Sequence, residues 1–242
     1  MKGIDIKNLT KKYKNRTAVD TLNLTIKEGE FFALLGTNGA GKTTTIKMLS
    51  CLLEPTSGDA QLLGNSIVKN PKSVKKIINV SPQETAIATK LSVKENLELI
   101  ARIYGISNQE ATKKADEMLS VFGLTKRAKD RANSLSGGMQ RKLSIAMSLI
   151  TNPKILFLDE PTIGLDVTAR RNLWKIISEL KGKITIILTT HYLEEADALA
   201  DRIGIMHQGK MRIVGTTKEI KRETGEDSLE DAFLSFEDEE GE

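Results

Sequence analysis

The run Gly36-Thr37-Asn38-Gly39-Ala40-Gly41-Lys42-Thr43 directly follows five apolar residues, Phe31-Phe32-Ala33-Leu34-Leu35. Few stretches constrain a fold so tightly. The spacing G-x-x-x-x-G-K-[ST] asks for a buried strand that delivers the backbone into a glycine-rich turn, and for a helix that leaves it. Gly39 and Gly41 can take positive φ and carry no side chain to hold the backbone away from an anion. Several N–H groups then converge, and the positive end of a helix starting near Gly41 points the same way. The ligand this arrangement suits is the phosphate chain of a nucleoside triphosphate. Gly36, Thr37, Asn38, Gly39, Ala40, Gly41 and Thr44 would line the cradle, Lys42 would bridge the β- and γ-phosphates, and Thr43 would hold Mg2+ through its hydroxyl.

The rest of the chain supplies an α/β framework around that turn. Residues 4–9 and 22–26 alternate apolar and polar, as half-buried strands do, so an N-terminal antiparallel β layer is expected ahead of the strand at Phe31. Residues 60–63 and 76–80 read as further strands. From Ser92 to about Thr151 the period becomes helical. Ser92 and Glu95 fit a capping box, and Leu97, Ile100 and Tyr104, with Leu99 and Ile103, share an amphipathic stripe. Residues 108–122 form a second expected helix, stopped near Gly123, and residues 140–150 a third. Ile155-Leu156-Phe157-Leu158 is a continuous apolar run, typical of a central parallel strand. A helix over 167–180, a strand over 184–188, a helix over 193–200 and a hairpin about Gln208-Gly209-Lys210 complete the pattern. The expected fold is α/β: a P-loop NTPase core over 1–225, its mainly parallel sheet flanked by helices, with a helical subdomain inserted at about 84–151. An acidic tail, 226–242, adds a helix over 228–236 and is expected to be disordered from Glu237.

Asp159-Glu160 ends the apolar run at Leu158, which puts two carboxylates at the carboxyl end of a central strand, where α/β sheets bind ligands. Asp159 suits the task of holding Mg2+, and Glu160 that of polarising an attacking water as general base. About twenty residues earlier, Leu135-Ser136-Gly137-Gly138-Met139-Gln140 opens a helix. A Ser and two glycines at a helix N-terminus make a second anion site by the logic of the first. One chain thus holds two phosphate-binding elements.

Taken in order, these residues resemble the ATP-binding cassette (ABC) ATPases. Gly36 to Thr43 matches Walker A, Gln83 the Q-loop position, and Leu135 to Met139 the LSGGQ signature. Ile155 to Glu160 matches Walker B with its glutamate, Gly164-Leu165-Asp166 the D-loop, and His191 the switch histidine. Met139 departs from the pattern, standing where that family usually has Gln. The resemblance implies ATP and Mg2+ as cofactors, and it implies roles. Tyr13 would stack on adenine. Gln83 would sense Mg2+ and the attacking water, and His191 would hydrogen-bond the γ-phosphate. Members of the family pair head-to-tail, so Ser136, Gly137 and Gly138 would address ATP held by the Walker A of a second copy or a related subunit, and Asp166 would touch that partner.

Residues 190–197 and 137–142 are similar to the prokaryotic drug-, antibiotic- and bacteriocin-export ATPases that drive a separate membrane permease. The permease of such systems docks a short cytoplasmic helix just after the Q-loop. Leu91, Leu97, Ile100 and Tyr104 lie there, and at least one is expected to be exposed. The alternative is a soluble ABC ATPase acting on nucleic acid or ribosomes. One P-loop and no long heptad run argue against it, since that class usually carries two cassettes in tandem or a long coiled-coil insertion.

Composition narrows the setting. No stretch approaches the roughly 20 apolar residues of a membrane span, and the first residues lack the apolar core of a signal peptide. These features fit a soluble chain or one peripheral to a membrane through a partner, and the resemblance implies a cytoplasmic location, peripheral at the inner face of the membrane through the permease. Nine acids and no Lys or Arg lie between Glu226 and Glu242, so a formal net charge of +4 leaves +13 on the other residues. That basic body lacks the interleaved aromatics of a nucleic-acid surface, and no direct nucleic-acid partner is expected. A lone cysteine, Cys51, follows Met48-Leu49-Ser50 and reads as a small buried core residue rather than a reactive thiol.

Overall fold

The computed structural model describes residues 1–238. In chain order the elements are β1 (Lys2–Tyr13), β2 (Arg16–Lys27), β3 (Phe31–Leu35), α1 (Lys42–Leu49), β4 (Ser57–Leu62), β5 (Asn65–Ser66), α2 (Pro71–Ile77), β6 (Ile78–Ser81), α3 (Val93–Ile103), α4 (Asn108–Val121), α5 (Gly137–Leu149), β7 (Ile155–Asp159), α6 (Val167–Ser178), β8 (Thr185–Thr190), α7 (Leu193–Leu199), β9 (Arg202–His207), β10 (Lys210–Gly215), α8 (Thr217–Thr224) and α9 (Leu229–Asp238).

Two sheets result. An antiparallel sheet runs β2-β1-β4-β5, and a second runs β10-β9-β3-β8-β7-β6, parallel except for its β9–β10 hairpin. β3 explains why five consecutive apolar residues were needed. Phe31, Ala33 and Leu35 face a core shared with α3 to α9, whereas Phe32 and Leu34 face a second core under the antiparallel sheet and α1. A strand alternates its faces, and β3 has no wet face, so every position is apolar and buried. At about 1.5–3 kcal/mol for each large side chain withdrawn from water, this strand is fixed before any ligand arrives.

The helices begin and end where capping chemistry directs. Ser92 accepts from the Glu95 N–H while Glu95 accepts from the Ser92 N–H, closing the expected capping box on α3, worth about 1 kcal/mol. Two helices escaped the sequence reading. α2 takes Lys76 and Ile77, expected in a strand, because Pro71 sits at the first helical position, where its fixed φ favours a helix. α8 opens on a second capping box, Thr216 with Glu219, and closes on Gly225 at φ 78. α9 covers the expected tail helix and continues through Asp238, and its Leu229 and Ala232 are buried in the larger core. Disorder is expected from Glu237, but Glu237 and Asp238 form the end of α9, and the rest of that expectation, 239–242, lies outside the described residues.

The α3 stripe is broader than its buried part. Leu97 is buried, Leu91 and Ile100 are half-buried, and Tyr104 is 50% exposed, so one of the four residues expected to offer a surface does. Leu99 and Ile103 are exposed beside it. Cys51 is half-buried at φ 56, its Sγ 3.7 Å from the Ile67 carbonyl, and burial raises its thiol pKa. No helix of the described residues is long and apolar enough to cross a membrane.

Candidate functional site

The carboxyl ends of β3, β7 and β8 stand side by side, in the order β3-β8-β7, and each carries polar residues just beyond its apolar run. Beyond β3 the chain turns through Gly39 at φ 87 and Gly41 at φ 108. A Cβ on Gly41 would come within 2.5 Å of the Ala18 carbonyl oxygen, so the turn excludes any larger residue there. The turn leaves a hollow of about 380 Å3 against Arg16, Thr37, Asn38, Gly39 and Gln208. Lys42 starts α1 and folds its ammonium back against the turn, donating to the Gly36 carbonyl at 2.6 Å and the Thr37 carbonyl at 3.1 Å.

Beyond β7, Asp159 accepts from the Thr43 hydroxyl at 3.1 Å and from the Thr189 hydroxyl of β8 at 2.5 Å. Glu160 follows at φ 49, a left-handed conformation that a side chain disfavours. Its N–H donates to the Thr189 carbonyl at 3.0 Å. Its carboxylate holds Lys42 Nζ at 3.4 Å with one oxygen and His191 Nδ1 at 2.6 Å with the other. Lys42, Asp159 and Glu160 are each at most 5% exposed, so these charges interact in a medium that screens them poorly. Thr43 and Asp159 offer hard oxygens of the kind Mg2+ takes beside phosphate. The glycine turn offers N–H groups, so the residues present fit both a polyphosphate and its metal.

Not every expected residue joins this centre. Ser136 caps α5, accepting from the Met139 N–H at 3.4 Å, and stays exposed. No hydrogen bond among the described residues links Ser136, Gly137 or Gly138 to the glycine turn. Instead Gly137 shares a cavity of about 420 Å3 with Gln83, Gln140, Arg141, Gly164 and Leu165. The Gln83 side chain is exposed there. Asp166 caps α6 through the Ala169 N–H at 2.8 Å. Tyr13 ends β1, half exposed, opposite Arg16 in the hairpin register. Arg16 in turn donates to the Gly39 carbonyl at 2.9 Å, which sets the hairpin end beside the glycine turn.

Arg16, Arg141 and Glu195 were not singled out from the sequence. A charge within an otherwise apolar helical face was the available signal for the last two. Burial brings the Arg141 guanidinium down to about 10, against the opposing pull of Asp159, Glu195 and Glu160, so it stays charged at neutral pH. Glu195, in the first turn of α7, is fully buried. Its Oε1 accepts from the Trp174 indole N–H at 2.9 Å, while Oε2 has no partner among the described residues. Burial pushes this carboxyl above the usual carboxylate range. A carboxyl raised in the folded state stabilises less as pH climbs from its unfolded pKa of about 4.3 through its folded value. Glu195→Gln keeps the acceptor for Trp174 and offers an N–H toward Thr162, removing that loss. The variant should melt above wild type on the alkaline side, by about 2–4 °C for each kcal/mol relieved, and the gap should close as pH falls toward 4. Melting curves across pH check this; a gap that widens in acid would contradict it.

Comparison with known proteins bears on what such a site does. Residues 19–163 match the family model described as ABC transporter. The chain is 40% identical over 227 residues to the linearmycin resistance ATP-binding protein LnrL of Bacillus subtilis, covering 93% of this chain and 73% of that protein. It is 42% identical over 227 residues to the human phospholipid-transporting ATPase ABCA3, covering 92% of this chain but only 13% of that much longer protein. Its fold matches the ATP-binding cassette MJ0796, solved as a dimer in a post-hydrolysis state bound to ADP and Pi, with a TM-score of 0.80 and 29% identity, covering 88% of this chain and 98% of that one.

Proposed function

This chain belongs to the ABC transporter family as an ATP-binding, ATP-hydrolysing subunit, and from that premise we propose that two copies, or one copy and a related subunit, close head-to-tail on ATP to drive export through a separate membrane permease. The observation that carries the reading is the carboxylate of Glu160, held between Lys42 and His191 and next to the Thr43–Asp159 pair.

The chemistry follows from those contacts. A phosphate chain offers Lys42 a stronger partner than one carboxylate, so nucleotide draws the ammonium away from Glu160 and frees a basic oxygen. Glu160 then takes a proton from the attacking water, while His191 keeps the carboxylate oriented and donates toward the γ-phosphate. Thr43 and Asp159, with Gln83, would hold Mg2+, which would supply positive charge against the phosphates. Tyr13 stacks on the adenine ring, and Gly36 to Thr44 cradle the phosphates. The separation of Ser136, Gly137 and Gly138 from their own P-loop supports a site completed by a second chain. The LnrL relative, named for antibiotic resistance, supports export, and the exposed apolar face of α3 supports a permease docked at the membrane's inner surface.

The docking part is tested at Tyr104. In membranes that hold the chain with its permease, Tyr104→Asp should abolish transport. The isolated chain's ATPase should stay within about twofold, since exposed substitutions cost little stability. Transport unchanged by the acid would remove this face from the interface.

A further inference from the structure

Arg141 lies five residues beyond Ser136 on α5, buried to 3% exposure. A guanidinium so deep normally meets a carboxylate. Here no acidic oxygen lies within salt-bridge distance among the described residues. Four of its five N–H groups go to main-chain carbonyls instead. Nη1 donates to Pro82 at 2.5 Å and to Gln83 at 3.2 Å, just past β6. Nη2 donates to Asp159 at 2.8 Å, and Nε to Pro161 at 2.8 Å, just past β7.

The acceptors have a pattern. β6 and β7 are parallel neighbours, paired up to Ser81 and Leu158, and their chains leave the sheet with carbonyls that the ladder no longer satisfies. One planar group spans both exits. On the β7 side its two acceptors, on the residues before and after, bracket Glu160, the residue held at φ 49, so the main chain on both sides of that residue is anchored to α5. On the β6 side it holds the backbone of Gln83. The helix that supplies Arg141 also presents Ser136, Gly137 and Gly138 at its N-terminus, and most of its length is buried. A rigid helix cannot shift at one end and leave Arg141 in place.

We propose that Arg141 is a positioning residue that couples the two ATP sites of a dimer: engagement of Ser136 by the partner's nucleotide sets, through α5 and this guanidinium, the geometry of Glu160 and Gln83 in the chain's own site. The inference rests on the composite-site reading above. It makes each site sensitive to occupancy of the other, and turnover cooperative in ATP.

Lysine keeps the aliphatic stem and charge but has no fork that reaches both strand exits at once. The test therefore uses Arg141→Lys and Arg141→Met in the full chain, with Mg-ATP. Binding of a fluorescent ATP analogue should stay within about twofold in both, because neither touches the P-loop. The kcat should fall by about 10²-fold in the Met variant, the loss that an ångström-scale misplacement causes, and by less in the Lys variant. The Hill coefficient for ATP turnover, between one and two in wild type, should fall to one in both.

A kcat that falls while the Hill coefficient stays at its wild-type value overturns the proposal, because a purely structural role would do that. So does a Lys variant with wild-type kcat and cooperativity, even where the Met variant does not fold. ATP-driven dimerisation of Glu160→Gln with Arg141 intact, followed by light scattering, is the control. If that dimer never forms, the composite site itself is wrong.

Discussion

Glu160→Gln should bind ATP, form a long-lived dimer and turn over about 10²–10⁴-fold more slowly than wild type, the usual loss when a general base is removed. The change amounts to about 3–5 kcal/mol of barrier. Two contacts make the variant's behaviour depend on the ligand. Without nucleotide, Gln removes the charge that Lys42 meets at 3.4 Å, so a buried ammonium is left with the Gly36 and Thr37 carbonyls alone. The free variant should therefore melt lower than wild type. With ATP the sign reverses. Lys42 has the phosphates, and the amide no longer repels the γ-phosphate, so the closed state gains. Melting with and without Mg-ATP, together with single-turnover hydrolysis, reads both effects. Turnover above half of wild type would remove Glu160 from the role of base.

The parts of this site that sequence disclosed are those whose chemistry is local. Gly39 and Gly41 announce a turn because no other residue tolerates φ 87 and φ 108, and the apolar β3 announces burial because neither of its faces is wet. Ser92 and Glu95 cap α3 within four residues of each other. What escaped depends on contacts across the chain. Arg141 reaches Pro82 from 59 residues away, and only its helical phase sets it apart from the half-buried Lys142 beside it. Glu195 sits in Leu193-Glu194-Glu195-Ala196, where one glutamate faces solvent and the next meets Trp174 from α6. Helical phase alone decides between them. α8 was legible in principle, since Thr216 and Glu219 repeat the capping-box spacing of α3, but its apolar content is one buried residue, Ile220. The Glu160 pairing with Lys42 and His191 joins three strand ends from three parts of the chain, and only the parallel sheet order brings them together.

Lys42→Ala and Ser136→Arg should fail at different steps, and the difference decides whether the site is shared between chains. Lys42 lies at the floor of the glycine turn, and its loss removes a charge-assisted contact of about 1.5–3 kcal/mol. The isolated chain should then bind ATP about 10- to 100-fold more weakly. Ser136 is exposed and caps α5 through a long 3.4 Å contact, so Arg there costs the fold about 1 kcal/mol at most. It should leave nucleotide binding by the single chain intact, while its bulk holds the α5 N-terminus away from a partner's phosphate. Arithmetic then says what a mixed dimer does. If the open dimer is favoured about 99:1, reversing it takes roughly 5.5 kcal/mol of differential binding. One ATP at a hundred times its Kd, bound by the closed form alone, supplies about 2.7 kcal/mol. Two ligands close the dimer and one leaves it near balance. A dimer of one wild-type and one Ser136→Arg chain should therefore close in about half of its molecules and turn over poorly at both sites. Equal loss of nucleotide binding by the two single-chain variants, or full turnover by a monomer, would defeat the shared site, because Ser136 does not reach its own P-loop.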